Sequence, residues 1–542
     1  MTSWILALSI LPSIVSSQDF ASWGVSGGSG PRGGIGDGAH PVLQPQSFIT
    51  DGYVPTSPNS TRQLAPGPAP LLVRNNGTSC SSTRRKVVVD SSTSGAQQEM
   101  LGFGHAWTDS TVEVFNQLEP ELLDQLMGEL FGQDGNNMGF MRHTIGSSDL
   151  SGVQYSYDDN GPSFNEGEPD PTLASFNLGT YGTQMAELLA KMGSYKGDVF
   201  LYGAPWSYPG WMKNNDLFIA PNDGGSHFLI NNSLNPSYYN QAIRYLTDYV
   251  DAFRDYGVIV NGISLQNEPL NYQGGYPCMF LDAADEANLL QQGLGDAMHE
   301  RGVKVLAYDH NTDQPAYPAR VIQGAPDYVD AAAWHCYQGP VADYTILEFM
   351  TECSNTGLAP GTTNFWVAQN FIPAVRYGAS GGSFWVLATD SNYGPHSPYG
   401  GCGSCSGSVF VNSSTVYEKT IDYYMVGHFS RYIRRGAVNH RILQGLQGGG
   451  TDWTAQFFAI AVQNPDQGWA VVFLNTFPAD QEIDLTFTES GFIWQGTIPA
   501  SSVVTWLLPS DQVLAINVAL VMRHSLYRVK GALLLADKAV QE

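Results

Sequence analysis

Charge is what this 542-residue chain has least of. Asp, Glu, Lys and Arg make up 14% of it, against roughly 25% in an average soluble protein. Basic residues are the scarcest: 25 Lys and Arg stand against 50 Asp and Glu, a formal net charge of −25. Nucleic-acid binding needs a basic footprint that displaces counterions, so that class is excluded, and polyanionic substrates are disfavoured for the same reason. The apolar runs at the N-terminus and in the C-terminal tail fall short of the ~20 residues that span a bilayer, so no membrane partner is expected. No Gly-rich phosphate loop follows a strand, and no second CxxC or HxxxH completes a zinc set with Cys402 and Cys405. Neither a metal nor any other cofactor is expected.

What the chain does have is 43% hydrophobic and 12% aromatic residues, ample for a core, and 59 Gly with 31 Pro, which imply many loops. Trp4–Val15 is apolar, broken by Pro12 and followed by Ser16 and Ser17. This pattern predicts a signal peptide over 1–17. Glycosylation sequons at Asn59, Asn76, Asn231 and Asn412 accord with it. The six cysteines suit an oxidising compartment, and Cys402 and Cys405, in a Gly/Ser turn, are placed for a local bridge. A secreted, soluble monomer is expected.

Residues 18–70 are rich in Gly, Pro, Ser and Asn with little period, and read as a leader. Further on, Val112, Val114, Phe115, Leu118, Leu122 and Leu126 predict one helix over Ser110–Leu130. Strands are expected at Leu101–Trp107, Gly139–Ile145, Val199–Ala204, Val258–Leu265, Val303–Tyr308, Val329–Trp334, Leu347–Met350 and Gly381–Leu387, with helical patterns between most of them. That alternation implies parallel βαβ units, and eight strands in this length predict an α/β fold, a (β/α)8 TIM barrel over 71–435. The first strands, within 71–98, are expected to join a separate β-domain. After Arg435, short alternating runs from Phe457 to Leu508 without long helices predict an all-β sandwich over 436–509. Residues 510–542 form a tail with no readable period.

In such a barrel the chemistry sits where strands end at the C-terminal face. Ile263 and Leu265 alternate as strand residues, Gln266, Asn267 and Glu268 follow, and Pro269 ends the run. Phe349-Met350-Thr351-Glu352-Cys353 repeats that pattern on a later strand. Two carboxylates facing each other across a sugar can divide glycosidic cleavage between them, one attacking the anomeric carbon and the other protonating the leaving oxygen. Taken singly, an acidic residue at a strand end is more often a solvated or salt-bridging group.

The surroundings decide between those readings. Gly102-Phe103-Gly104 with Thr108-Asp109, Arg142 with Ile145-Gly146-Ser147-Ser148-Asp149, Ala204-Pro205-Trp206-Ser207, Gln266-Asn267-Glu268-Pro269, His335-Cys336-Tyr337, Thr351-Glu352-Cys353 and Phe384-Trp385 follow one another in order. With these motifs, Val87 to Leu508 resembles glycoside hydrolase family 30. Within it, His105–Asp109 and Asp158-Asp159-Asn160 look closest to the fungal endo-β-1,6-glucanases. The resemblance implies that Glu268 is the acid/base and Glu352 the nucleophile of a retaining enzyme. It implies substrate-binding roles for Asp149, Trp206, Asn267, Tyr337, Trp385, His335 and Arg142. Arg142 and Tyr337 would keep Glu352 ionised, Asn267 would hold the sugar 2-hydroxyl, and Asp149 and Trp206 the distal hydroxyls. Trp385 would form an apolar floor. His335 would position, or would lie in the core donating to a backbone carbonyl. Glu268, as the acid, should sit in an apolar or negatively charged surround that keeps its proton on.

The substrate partner is then a neutral polysaccharide, β-1,6-glucan, cut internally. Alternatives are another activity of the family, on β-1,6-galactan, xylan or glucosylceramide, or a non-catalytic glucan- or cell-wall-binding protein. Two features depart from the family pattern. The crossover over 338–346 is shorter than the ~10–12 residues a helix-containing connection needs, which puts barrel closure beside Glu352 in question. The tail after Pro509 also has no counterpart.

Overall fold

The computed structural model describes residues 42–52, 62–74, 83–160, 167–221, 229–271, 274–339, 348–359, 363–448, 456–510 and 514. The expected signal peptide, Asn59, Asn76, most of the 338–346 crossover and nearly all of the tail lie outside them. Eight parallel strands close into a barrel: β1 (Gly102–Trp107), β2 (Phe140–Ile145), β3 (Phe200–Pro205), β4 (Gly262–Ser264), β5 (Lys304–Asn311), β6 (Ala331–His335), β7 (Glu348–Glu352) and β8 (Ala379–Phe384). The ring is complete. β8 pairs with β1 from Gly381↔Gly102 to Phe384↔His105, and β6 pairs with β7 despite the short connection.

Period-2 alternation sorts the strand residues into two faces. Phe140, Phe200, Tyr202, Leu306, Ala331, Ala333 and Phe349 form one packed cluster inside the lower barrel. The Phe140 ring lies 5.4 Å from Phe200 and 5.0 Å from Phe349. This aromatic plug fills the bottom, so only the upper end has room for polar chemistry. Neighbouring Met141, Leu201, Val305 and Ala307 join the larger core cluster that includes the helices.

The helix expected over Ser110–Leu130 is two helices, Asp109–Asn116 and Pro120–Phe131. Pro120 stands at the first turn of the second, where its missing N–H costs nothing and its fixed φ starts a helix. The helical stretch from Ala283 to Glu300 bends at Gly293, whose φ of 123° is outside helical space.

Two sheets face each other beside the barrel. One has strand order Ala65–Pro66, Gln46–Asp51, Ser502–Leu508, Trp469–Asn475, Phe457–Gln463, Val438–His440 and Ala96–Glu99. The other runs Ile442–Gln444, Arg85–Val89, Gln481–Phe487, Phe492–Ile498 and Leu71–Arg74. Val87, Val89, Ile483, Leu485, Trp494, Phe473 and Trp506 share their core. The leader reading of 18–70 therefore needs correction. Gln46–Asp51 pairs along its whole length with Ser502–Leu508, and Ile49 is buried. A six-residue strand whose partner lies some 450 positions away leaves no local signal amid Gly and Pro. His428, on helix Ile421–Ser430, ties the barrel to this sheet through Thr50 and Thr505, each at 2.8 Å.

Candidate active site

Glu268 and Glu352 meet at the C-terminal end of the barrel. Glu352 closes β7, and Glu268 lies four residues past β4 in a tight turn with φ 47°. Non-glycine residues rarely adopt that conformation, and it persists only where neighbours fix it. Here the Glu268 N–H donates to the Asp309 carbonyl at 3.0 Å and the Asn267 N–H to Pro205 at 2.8 Å. One oxygen of each glutamate and a ring nitrogen of His335 all lie within 4.8 Å of one another.

Both Glu352 oxygens are occupied. Arg142 donates from Nη1 to Oε2, and Tyr337 from its hydroxyl to Oε1 at 2.9 Å. Arg142 Nη2 also donates to Asn267 Oδ1 and to Asp309 Oδ2, both at 2.7 Å. Burial alone would lower the guanidinium pKa; Asp309 and Glu352 reverse this and raise it above its ordinary value.

Both Glu268 oxygens are occupied too. His335 Nδ1 donates to Oε1 at 3.1 Å, and Asn271 Nδ2 to Oε2 at 2.6 Å while also reaching the Tyr276 hydroxyl. The other ring nitrogen of His335 faces Asp309 Oδ1 at 3.1 Å. Burial would drive His335 neutral, but Glu352, Asp309 and Glu268 push it up to about 9. Burial would likewise raise Glu268, yet the bond and charge of His335, with His310 and Asn271, hold it down at about 2. The expected apolar or negative surround of Glu268 is thus replaced by a cationic one. With both ring nitrogens directed at carboxylates, His335 is not a core histidine bonded to a backbone carbonyl.

The remaining expected residues divide into two groups. Arg142 and His335 have no exposed side-chain surface, so they lie beneath the surface and contact the glutamates from below. Trp206 and Trp385 stack on each other with ring centroids 4.9 Å apart, and the Arg142 guanidinium lies 4.8 Å above the Trp206 ring. Together they form one wall, while Tyr337 is open to solvent. On Asp149, Oδ2 accepts from the Cys402 N–H at 3.1 Å, and Oδ1 has no protein partner. Burial and then the charges of Glu352 and Glu268 push it up to about 7.

Two disulfides brace these positions. Cys402–Cys405 is the local bridge anticipated from spacing, and it adjoins Asp149. Cys336–Cys353 joins the residue after His335 to the residue after Glu352. Asp309 and Asn271 escaped the sequence reading. The polar run Tyr308-Asp309-His310-Asn311 at the end of β5 carries the same strand-end signal that revealed Glu268.

The glycosyl hydrolase family 30 TIM-barrel domain model matches residues 100–379. Among characterised proteins, endo-1,6-beta-D-glucanase BGN16.3 of Trichoderma harzianum is 39% identical over 461 residues, covering 81% of this chain and 89% of the relative. The endo-1,6-beta-D-glucanase of Neurospora crassa is 36% identical over 489 residues, covering 86% and 96%. Among solved structures, the endo-beta1,6-glucanase BT3312 superposes with a TM-score of 0.70 at 22% identity, covering 86% of this chain and all of that one. SrfJ from Salmonella typhimurium superposes at 0.72 with 19% identity and the same coverage. At such identities the structural likeness speaks for the fold alone.

Proposed function

The chain belongs to glycosyl hydrolase family 30, and from that premise we propose that it is a secreted, retaining endo-glycosidase that cuts β-1,6-glucan. Glu352 is the nucleophile and Glu268 the acid/base. The observation that carries this reading is the approach of the two carboxylates within 4.8 Å at the polar end of the barrel. Retaining enzymes hold their carboxyls ~5–5.5 Å apart, whereas inverting ones leave ~6.5–9.5 Å for a water. Glu352 attacks the anomeric carbon, oriented by Arg142 and Tyr337, while Glu268 protonates the departing oxygen. Glu268 then takes a proton from water as the ester opens. Asn267, with its carbonyl oxygen held by Arg142, offers its amide N–H groups to the sugar 2-hydroxyl, and Asp149 offers its free oxygen to a distal hydroxyl.

The linkage rests on the names of the relatives at 36–39% identity. Both glutamates are held by complete sets of donors, which favours turnover over mere wall binding. Incubation of the secreted protein with a panel of pure β-glucans tests the proposal. Reducing ends and short oligosaccharides should appear from pustulan, a linear β-1,6-glucan, and not from β-1,3- or β-1,4-glucans. Binding to insoluble glucan without release of reducing ends would overturn it.

A further inference from the structure

Asp309 belongs to none of the motifs that first pointed to the reacting pair, yet it lies at the centre of the groups beneath it. Its side chain is fully buried and accepts from four others: Arg142 Nη2 at 2.7 Å and Ser264 Oγ at 2.6 Å on Oδ2, His335 Nε2 at 3.1 Å and Thr351 Oγ1 at 2.6 Å on Oδ1. Its own carbonyl accepts the Glu268 N–H.

The backbone is built to put it there. Ala307 and Tyr308 both pack in the outer cluster with the helices, while Leu306 faces the barrel interior. Plain alternation would send Asp309 outward with Ala307. Instead the β5–β6 register slips between Tyr308 and His310, and Tyr308 and Asp309 take φ of 85° and 55°. This bulge turns Asp309 inward. A second slip, between β6 and β7, leaves Thr351 as the extra residue and brings its hydroxyl to the same carboxylate. Two bulges and two strained non-glycine residues converge on one side chain, which marks a functional constraint.

We propose that Asp309 is a positioning residue for glycoside cleavage: its single carboxylate clamps Arg142 to Glu352 and His335 to Glu268, and thereby fixes where the catalytic proton rests in the free enzyme. This rests on the reading of Glu268 and Glu352 as the reacting pair. Ionised carboxylates accept but do not donate, so His335, facing Glu268 on Nδ1 and Asp309 on Nε2, carries a proton on each nitrogen. Glu352 Oε1 lies 3.8 Å from Nδ1, adding a third negative group. The His310 and Tyr337 rings stand 6.0 Å away. Burial lowers the His310 pKa, and the Arg142 cation is itself paired with Asp309. Behind β5, Glu286 accepts the Tyr308 N–H and is pushed up to about 7 by burial.

The catalytic proton is therefore stored on His335 Nδ1. As the glycosidic bond breaks, that proton passes to Glu268 and one from Glu268 passes to the leaving oxygen. His335 is left neutral with its Nε2 proton on Asp309, while the Glu352 electron pair forms the ester. Water opening the ester then returns one proton to the Glu268–His335 pair.

The test compares the pH profile of kcat/KM on pustulan for wild type and Asp309→Asn. The amide keeps the shape, removes the charge, and presents an N–H to Nε2 that only a neutral ring accepts. With a negative charge gone the stored proton leaves more readily, so the basic limb should move to lower pH by about one unit or more. A uniform fall with the limb in place would mean a merely structural role and overturn the proposal. A second measurement needs no turnover: ¹⁵N NMR of histidine-labelled wild type, with the His335 signals assigned by their loss in His335→Gln. Protons on both nitrogens at pH 7 are expected even if the variant does not fold or pustulan is not the substrate; a neutral ring would overturn the proposal.

Discussion

His335 donates from Nδ1 to Glu268 Oε1 across 3.1 Å, and the same nitrogen lies 3.8 Å from Glu352. One imidazolium thus stands between the two carboxylates that the proposed reaction needs on opposite sides of a sugar. Two like charges this close repel strongly, and the positive ring between them, with Arg142 behind, offsets that repulsion. On the proposed roles, Glu268 therefore does not wait as a protonated carboxyl in an apolar pocket. The proton rests on His335.

Arg142 is the other half of that compensation, fully buried against Asp309 and Glu352. Arg142→Met leaves two buried carboxylates with His335 as their one remaining cation, and breaking a buried pair in this way costs about 3–5 kcal/mol. Urea unfolding should show a loss in that range. Arg142→Lys should recover only part of it, since one ammonium cannot fork across Asn267, Asp309 and Glu352. A loss below about 1 kcal/mol for Arg142→Met would contradict the account.

The disulfide Cys336–Cys353 closes a sequence separation of 17 and joins the ends of β6 and β7 beside His335, Tyr337 and Glu352. A loop of that size predicts about 3 kcal/mol of stabilisation through the unfolded chain. The double variant Cys336→Ala, Cys353→Ala should lose about that much in denaturant unfolding. It should also lower kcat more than it raises KM, because it loosens the donor to Glu352 rather than the sugar contacts. Unchanged stability and turnover would remove the bridge from the account.

Buried Asp422 has a pH signature of its own. Asn355 donates to one oxygen at 2.6 Å, the other has no partner, and burial pushes the carboxyl up to about 7. Unfolded, it releases its proton near pH 4. Between those values the native chain holds a proton that the unfolded chain has lost, so this group's contribution to stability falls as pH rises. Asp422→Asn does not titrate. Its stability relative to wild type should rise by about 1.4 kcal/mol per pH unit across that window and level off above it. A difference independent of pH would refute this.

Much of this was legible in the chain itself. Ile263 and Leu265 alternate until Gln266, Asn267, Glu268 and Pro269 break the strand, and the same break places Glu352. Strand-end chemistry is local, and local patterns are what a sequence displays. Asp309 is different. A period-2 reading of Val305, Ala307 and Asp309 assigns it to the outer face, and only the bulge at Tyr308 reverses that. The cationic surround of Glu268 was hidden for a related reason, since His335 comes from β6 and its partners from β4 and β5. Gln46–Asp51 shows the limit most plainly, because its register is set by Ser502–Leu508.

The division of labour between the glutamates is the central claim, and azide tests it most directly. Glu352→Gln should lose nearly all turnover on every substrate, because no other side chain can form the ester. Glu268→Gln should fall by about 10²–10⁴-fold on glucan, yet still cleave aryl glycosides whose leaving groups need little protonation. Its ester then waits for a base that is gone, and azide, which needs none, should release it. Two inversions at one carbon make that product the β-glycosyl azide, identifiable by its anomeric proton coupling in NMR. Formation of the β-azide by Glu268→Gln, with no azide rescue to that anomer in Glu352→Gln, is the predicted result. An α-azide from the Glu268 variant, or no rescue of it while the wild type is active, would contradict the assignment.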